Sequence, residues 1–515
     1  MSDINVLEFM NIKDKNTQKI NDSGGNKNLK SENTTFKQNR SATQGNVILQ
    51  GEADVQNKPV CQEKSKIDAA DKQFRMMTET SIPFLVTKLG IPTTISMLIS
   101  NIYNMADTYF VGREGTSASG AIGIVFGLMA IIQAFGFMLG HGAGAIIANK
   151  LGARDYQSAS RFASISFFMS LAAGSLITIS GFIFLNPLLY LLGSTSTILP
   201  FARTYAVFIL LGAPFLCASC VLNNILRYEG RAFFAMIGLS LGGILNIFGD
   251  WYFMRILNMG VEGAGMSTAI SQAVGFIVLL IPFLRKITQS RISVKKLRNI
   301  YGDLLQICKT GFPSLIRQGL SSTSTMVLNH ASGIYGDAAV AAMSIAGRIQ
   351  FFMFAVALGI GQGFQPVSAF NYGAGKYKRV RQAFWFTCMV SEMILVIAAI
   401  ALSFKVTDLI RLFRDDPKVI EIGTAALRFM LFALVFQPLF VCANMLFQSI
   451  GKAGAASFLS LLRSGLYFIP VILILPGFIG IMGIQMSSMV GDILTWATSI
   501  PFIVSFFKKL PKTDA

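Results

Sequence analysis

Two aspartates sit where an aspartate is expensive. Asp107 lies in the apolar stretch NMADTYFVG and Asp250 in ILNIFGDWYF. An ionised side chain at membrane depth costs roughly 3 kcal/mol, so one that is kept there marks a functional site by default. Polar groups accompany both acids. Asn246 falls one helical turn before Asp250 on the same face, Asn223 and Asn224 come late in a neighbouring apolar run, and Thr268 lies in another. A carboxylate among amides and a hydroxyl can take up a proton or hold a small hard cation through oxygen ligands. Either use makes an ion-coupling site. The competing reading is a pair of acids near span ends that reach toward the headgroups.

Other chemistry has little to work with. Cys217 and Cys220 form a C-x-x-C inside the apolar run Tyr205–Leu222, and the chain has only His141 and His330 as further nitrogen ligands. Small apolar filler accounts for the cysteines better than a metal site. No resident metal beyond Na+ at the coupling site, no cofactor and no enzymatic activity are expected.

These acids need elements to hold them, and composition says which. Of 515 residues 53% are hydrophobic and 14% charged, with 43 Phe and a net charge of +18; mean hydropathy is +0.56. Soluble domains carry about 25% charged residues, so a soluble enzyme and a nucleic-acid binder are both excluded. Residues 1–75 are different, rich in Asn, Lys, Gln, Ser and Asp without an apolar run. That segment is expected to be a disordered polar tail, and it has no signal-peptide core.

Twelve apolar segments follow, near 88–111, 121–148, 160–183, 202–225, 233–254, 264–284, 310–333, 339–369, 383–404, 425–447, 456–476 and 480–506. Each has the length that crosses about 30 Å of hydrocarbon. Basic residues alternate across the loops: Lys150, Arg154 and Arg161 after the second span, Arg227 and Arg231 after the fourth, seven between Arg285 and Lys309, then Lys376, Lys378, Arg379 and Arg381. The positive-inside rule puts both termini in the cytoplasm of a multi-pass plasma-membrane protein. One loop dissents, with Lys405, Arg411, Arg414 and Lys418 on the outer side.

An internal repeat organises the spans. Shifted by 221, residues 88–156 meet 309–377 without a gap: Gly90 and Pro92 fall on Gly311 and Pro313, Gly140 and Gly142 on Gly361 and Gly363, Gly152 and Tyr156 on Gly373 and Tyr377. An N-lobe over 76–290, a cytoplasmic linker over 291–308, a C-lobe over 309–508 and a short tail over 509–515 result. The fold class is an all-α integral membrane protein, twelve transmembrane helices in two pseudo-symmetric six-helix lobes. Parallel repeats of this kind are a recurrent transporter plan.

The repeat also shows an asymmetry. Asp107 maps to Leu328 and, if the shift continues, Asp250 maps to Val471. The second half carries Arg317 and Arg348 instead, read as partners of backbone carbonyls or of Glu392 ahead of a substrate role. Pro92 either kinks its helix or is a static N-terminal proline. Phe351 and Phe354 either line a deformable pocket or face lipid.

Together these segments resemble the multidrug and toxic compound extrusion (MATE) transporters of the MOP type, in the bacterial DinF/MepA-like branch. The resemblance spans about residues 80–508. It rests on PxxIxMLISNIYNMADTYFVG (Pro92 to Gly112), GxGAxAIIANKLGARD (Gly140 to Asp155), NNILRYEG, NIFGD, AGRIQ and GQGFQPVSAFNYGA (Gly361 to Ala374). It implies secondary active export of amphipathic, often cationic compounds in exchange for H+ or Na+. It also implies a cation site of Asp107, Asn223, Asn246, Asp250 and Thr268, with Pro92 as the bending point of its helix. His141 departs from the family's glycine motif. A monomeric antiporter in the lipid bilayer, acting on small-molecule drugs and not on nucleic acid, is the expectation. Its alternative is a flippase for a lipid-linked saccharide, which would call for a cavity lined by many cations.

Overall fold

In hydrocarbon no water is at hand for backbone N–H and C=O groups, so a segment that crosses must satisfy itself as a helix. The computed structural model describes residues 70–112, 116–297, 300–511 and 513–514, and every regular element among them is helical. Residues 1–69 of the expected tail lie outside the described residues. From 70 to 79 the chain is helix, so its last part, 70–75, belongs to the folded body.

The first half contains α1 (Ile82–Gly112), α2 (Thr116–Gly152), α3 (Tyr156–Ile183), α4 (Leu199–Tyr228), α5 (Ala232–Ile256) and α6 (Gly260–Leu284). The second contains α7 (Ile300–Gly333), α8 (Asp337–Gly373), α9 (Tyr377–Ser403), α10 (Pro417–Leu434 and Gln437–Ser449), α11 (Ala453–Ile479) and α12 (Ile481–Lys509). The two parts of α10 meet at a 53° bend. Among the described residues ten helices are long and apolar enough to cross a membrane, and α10 makes eleven. The twelfth, α7, has the length at 34 residues but not the hydropathy. Its Ser321, Ser324, Thr325 and Asn329 line an internal cavity rather than meeting lipid. It also begins at Ile300, inside the stretch expected as linker.

The shift of 221 extends through the whole fold. Helices α2, α3, α5 and α6 start at 116, 156, 232 and 260, while α8, α9, α11 and α12 start at 337, 377, 453 and 481. Short helices Leu185–Leu191 and Val406–Phe413 keep the same register. The second of these accounts for the dissenting basic loop. Lys405 pairs with Asp408 at 3.4 Å and Arg411 with Asp415 at 3.6 Å. Asp416 caps α10 by accepting from the amides of Lys418 and Val419 at 3.0 and 3.1 Å.

The lobes touch at one end through repeat-related pairs. A side chain on Gly363 of α8 would run into the backbone of Gly90 of α1, and one on Gly142 of α2 into the backbone at Ile307 and Gly311 of α7. Gly90 and Gly311, like Gly142 and Gly363, are repeat partners, so the two contacts are copies. The Thr93 hydroxyl lies 2.6 Å from the Gly359 carbonyl across the junction. It also reaches the Leu89 and Gly90 carbonyls at 3.0 and 2.8 Å, beside Pro92, which sits inside the continuous helix α1. His141 belongs to this junction: its Nδ1 is 3.2 Å from the Ser314 hydroxyl, which accepts from Gln448 at 2.7 Å. Helix 70–79 lies across the same end. Gln73 donates to the Glu229 carbonyl at 2.6 Å and Arg154 lies over Phe74 at 4.3 Å on the N-lobe side. On the C-lobe side, Asn371 donates to the Met77 carbonyl at 3.0 Å.

Candidate functional site

Four helices of the N-lobe bring the acids together. Helix α1 supplies Asp107, α4 Tyr205, α5 Asn246 and Asp250, and α6 Ser267 and Thr268. The α5–α6 approach is close because residue 249 is glycine; a Cβ there would strike the Ser267 hydroxyl. All six side chains are buried. The Tyr205 hydroxyl donates to Asp107 Oδ2 at 3.0 Å and lies 3.5 Å from the Thr268 hydroxyl. The Asn246 amide donates to Thr268 Oγ1 at 3.1 Å and reaches Asp250 Oδ1 at 3.5 Å. Ser267 donates back to the Asn246 carbonyl at 2.9 Å. Just past Asp250 the α-helix widens into a π turn over Trp251–Ile256, a local distortion common at functional sites.

Donors run out in this cluster before acceptors do. Asp107 Oδ1, Asn246 Oδ1 and Asp250 Oδ2 are buried without a hydrogen-bond partner. A buried acceptor left unsatisfied costs about 1–3 kcal/mol, more when charged. Two ligands relieve such a set: a proton shared among the oxygens, or a small monovalent cation in the oxygen cage of Asp107, Asn246, Asp250, Thr268 and Tyr205. Groups of three His, Cys, Asp or Glu suited to a metal are absent among the described residues.

Asn223 stands apart. It lies 18 residues along α4 from Tyr205, about 27 Å at helical rise, and its amide donates to the Ala235 carbonyl at 3.1 Å. Its repeat partner Asn444 makes the equivalent bond to Ala456 at 2.7 Å. The pair ties consecutive helices at the closed end of each lobe. Asn224 is occupied by Arg227, which also donates to Gln362 of the other lobe.

A cavity of about 800 Å³ lies between the lobes, in the half away from their contact. Helix α1 turns Asn101, Asn104, Met105 and Thr108 toward it, while Asp107 points into the N-lobe. One helix thus presents the acid to the buried polar cluster and amides to the cavity. Arg348, Phe351 and Phe354 are on the cavity wall; Arg317, one turn nearer the closed end than Ser321, is not. Among the described residues no ion pair joins Glu392 to either arginine, so the acid-partner alternative of that expectation is not met.

The C-lobe has a charged network that sequence reasoning passed over. Arg463 Nε pairs with Asp492 Oδ1 at 3.1 Å, Gln437 donates to Asp492 Oδ2 at 2.8 Å, and the Arg463 guanidinium lies 4.1 Å from the Phe354 ring centre. Both ionisable groups lie inside apolar spans, so the rule that singled out Asp107 applies to them equally. Tyr205 and Ser267 had no such signal. The N-lobe positions equivalent to Arg463 and Asp492 are Gly242 and Ser271.

Twelve helices in two repeat-related lobes, a shared cavity and a buried acid cluster beside it define a membrane transporter. The chain belongs to the MatE family, whose profile matches twice, over residues 92–252 and 313–474, with starts offset by the same 221. It is similar to the multidrug export protein MepA of Staphylococcus saprophyticus, at 26% identity over 423 residues, 82% of this chain and 93% of that protein. A crystal structure of MATE in complex with MaL6 superposes with a TM-score of 0.82 at 26% identity, covering 86% of this chain and all of the other. The outward-facing conformation of a multidrug resistance MATE family transporter of the MOP superfamily gives 0.81, at 26% identity and 86% and 99% coverage.

Proposed function

We propose that the protein is a multidrug efflux antiporter of the plasma membrane, exporting amphipathic organic compounds in exchange for H+ or Na+. The observation that carries this is the placement of α1, with Asp107 in the ion cluster and Asn104 and Thr108 on the cavity wall. Ion binding relieves the three unpartnered oxygens and favours one arrangement of the lobes; drug binding favours another. Antiport requires that the two ligands prefer different states. Basic loops mark the contacting end as cytoplasmic and both termini with it, so the cavity faces outward. The protein acts as a single chain in this reading. A lipid-linked saccharide flippase has less support, because of the two arginines that the described residues place on the cavity wall one is already paired.

The test uses purified protein in proteoliposomes with an imposed proton or sodium gradient and a panel of amphipathic dyes of either charge. Asp107→Asn and Asp250→Asn should each abolish gradient-driven transport while eluting as monodisperse protein. Undiminished transport by both would remove the mechanism. Supplying one gradient without the other assigns the ion.

A further inference from the structure

Away from the cavity between the lobes, the contacting end holds a smaller groove of about 400 Å³. Ser81, Ile82 and Pro83 at the start of α1 line one side of it, and Arg379, Gln382 and Phe386 of α9 the other. Each lobe therefore supplies half. Arg379 spends part of its guanidinium on protein: Nε donates to Asn371 Oδ1 at 2.9 Å and Nη2 to the Thr80 carbonyl at 2.5 Å. Its Nη1 has no partner among the described residues. Two acids are close enough to act on Arg379, Glu79 and Asp514. Glu79 is exposed, Asp514 accepts from the Lys378 amide at 3.0 Å, and neither forms an ion pair with Arg379 among the described residues. With Lys378 and Arg381 flanking Arg379 on α9 and Lys88 on the second turn of α1, cations outnumber acids here.

The repeat provides a second copy of this contact for comparison. Shifted by 221, Ile82 corresponds to Asp303 of α7 and Gln382 to Arg161 of α3. In that copy the two side chains pair at 2.7 Å. Beside them the chain that leads into α7 is bonded to α3, the Arg291 and Ser293 amides donating to Ser160 and Ser164 at 3.2 and 3.0 Å. One copy is thus closed by its own carboxylate. The copy between α1 and α9 keeps a guanidinium and lacks the carboxylate.

An anion suits this groove, and the helix faces below it select which kind. Phe84, Ile91 and Ile95 are exposed along α1, and Trp385, Met389 and Met393 along α9. At spacings of four and seven these form apolar stripes that run from the groove into the bilayer. The first turn of α1 adds unpaired amides and the positive end of the helix dipole. A phosphate headgroup with acyl chains beneath it meets every one of these features.

We propose that the groove binds the headgroup phosphate of an anionic phospholipid of the cytoplasmic leaflet, and that this lipid, held by both lobes, keeps the contacting end closed. Basic pockets between spanning helices on the side of the anionic leaflet suit such headgroups. The choice of leaflet rests on the orientation proposed above; the site does not.

The experiment titrates the purified full chain in detergent with phosphatidylglycerol or with phosphatidylcholine of the same acyl chains, and counts bound lipid by native mass spectrometry. Wild type should hold one phosphatidylglycerol about tenfold more tightly than phosphatidylcholine, the worth of one charge-assisted contact. Arg379→Gln should remove that preference. Gln382 is exposed, so its variants should fold: Gln382→Lys should strengthen the preference and Gln382→Glu abolish it. Lys295→Gln, a charge lost at the same end but outside the groove, should leave it intact. A preference that the three groove variants do not move, or that Lys295→Gln lowers equally, overturns the proposal. So does glycerol phosphate binding as tightly as the lipid, which would make the site one for a soluble anion. Closure is read as labelling of a cysteine placed at Asn149. Phosphatidylglycerol at ten times its dissociation constant should slow labelling of wild type about tenfold by linkage and leave Gln382→Glu unaffected; an equal rate with and without lipid overturns the closure. Failure of the orientation looks different. Labelling of that cysteine from outside intact cells would move the site to the outer leaflet and leave the binding result standing.

Discussion

Gly152 at the end of α2 and Gly373 at the end of α8 face each other's helix across the lobe junction. A Cβ on Gly152 would collide with the Phe370 carbonyl and one on Gly373 with the Asn149 carbonyl, and both pairs are 221 apart. The pseudo-twofold axis therefore passes between these glycines. Gly152→Ala and Gly373→Ala should each destabilise the contacting end by about 1–3 kcal/mol, the usual cost of overpacking, and by similar amounts. Spin-label distances across that end should lengthen in both variants; a large effect in one and none in the other would contradict the symmetry.

Tyr205 joins α4 to the acid on α1. Tyr205→Phe keeps the ring and removes one hydroxyl, leaving Asp107 Oδ2 without its 3.0 Å donor and the ion cage without one oxygen. A hydrogen bond to a charged group is worth about 1.5–3 kcal/mol. Coupled export should fall about tenfold or more, while drug binding measured without a gradient is unchanged, because Tyr205 does not line the cavity.

The lobes and their repeat were legible in sequence because hydropathy and the 221 register are one-dimensional signals. So were Asp107, Asn246, Asp250 and Thr268, which the fold does bring together. Asn223 lies elsewhere because a place late in an apolar run does not say which partner a side chain meets across space; its amide meets the Ala235 carbonyl. The seventh span was legible as well, although the serines, threonine and asparagine that α7 turns to the cavity lower its hydropathy, because the 221 register sets it opposite α1.

Arg463 and Asp492 offer a thermodynamic test. Asp492 is buried while Arg463 is part-exposed on the cavity wall, so removing Arg463 strands a buried carboxylate at about 3–5 kcal/mol and removing Asp492 costs less, whereas replacing both with apolar residues is often near neutral. Arg463→Met and Asp492→Leu should each lower thermal stability, and the double variant should recover most of it. Additive losses in this cycle would mean that the pair is not coupled, against its 3.1 Å contact.

Helix 70–79 is held by both lobes at the end where they would have to part. Arg154 contacts Asp71 at 3.5 Å from one side, and Lys376 reaches the Thr78 carbonyl at 3.3 Å from the other. Phe74, between Arg154 and Phe370, is the largest of these contacts. Phe74→Ala should weaken the strap and raise the fraction of molecules open at that end, read as faster labelling of a cysteine placed at Asn149. Unchanged labelling would mean that the strap follows the lobes without restraining them.

Asp155, in the loop between α2 and α3, gives a pH dependence with a definite sign. Its carboxylate accepts from the Ser158 amide at 3.0 Å, and this bond, with Lys150 at 3.4 Å, holds its pKa below the ordinary carboxylate value. A depressed folded-state pKa stabilises at pH above the unfolded value and loses that contribution as pH falls through the folded one. Asp155→Ala should therefore cost about 1 kcal/mol of capping energy near neutrality, seen as roughly fivefold faster hydrogen exchange at the Ser158 amide. The difference from wild type should begin to shrink as the pH falls into the ordinary carboxylate range, about 4, and vanish below the lower folded-state pKa. A gap that stays constant across this range would mean that Asp155 caps α3 without its charge.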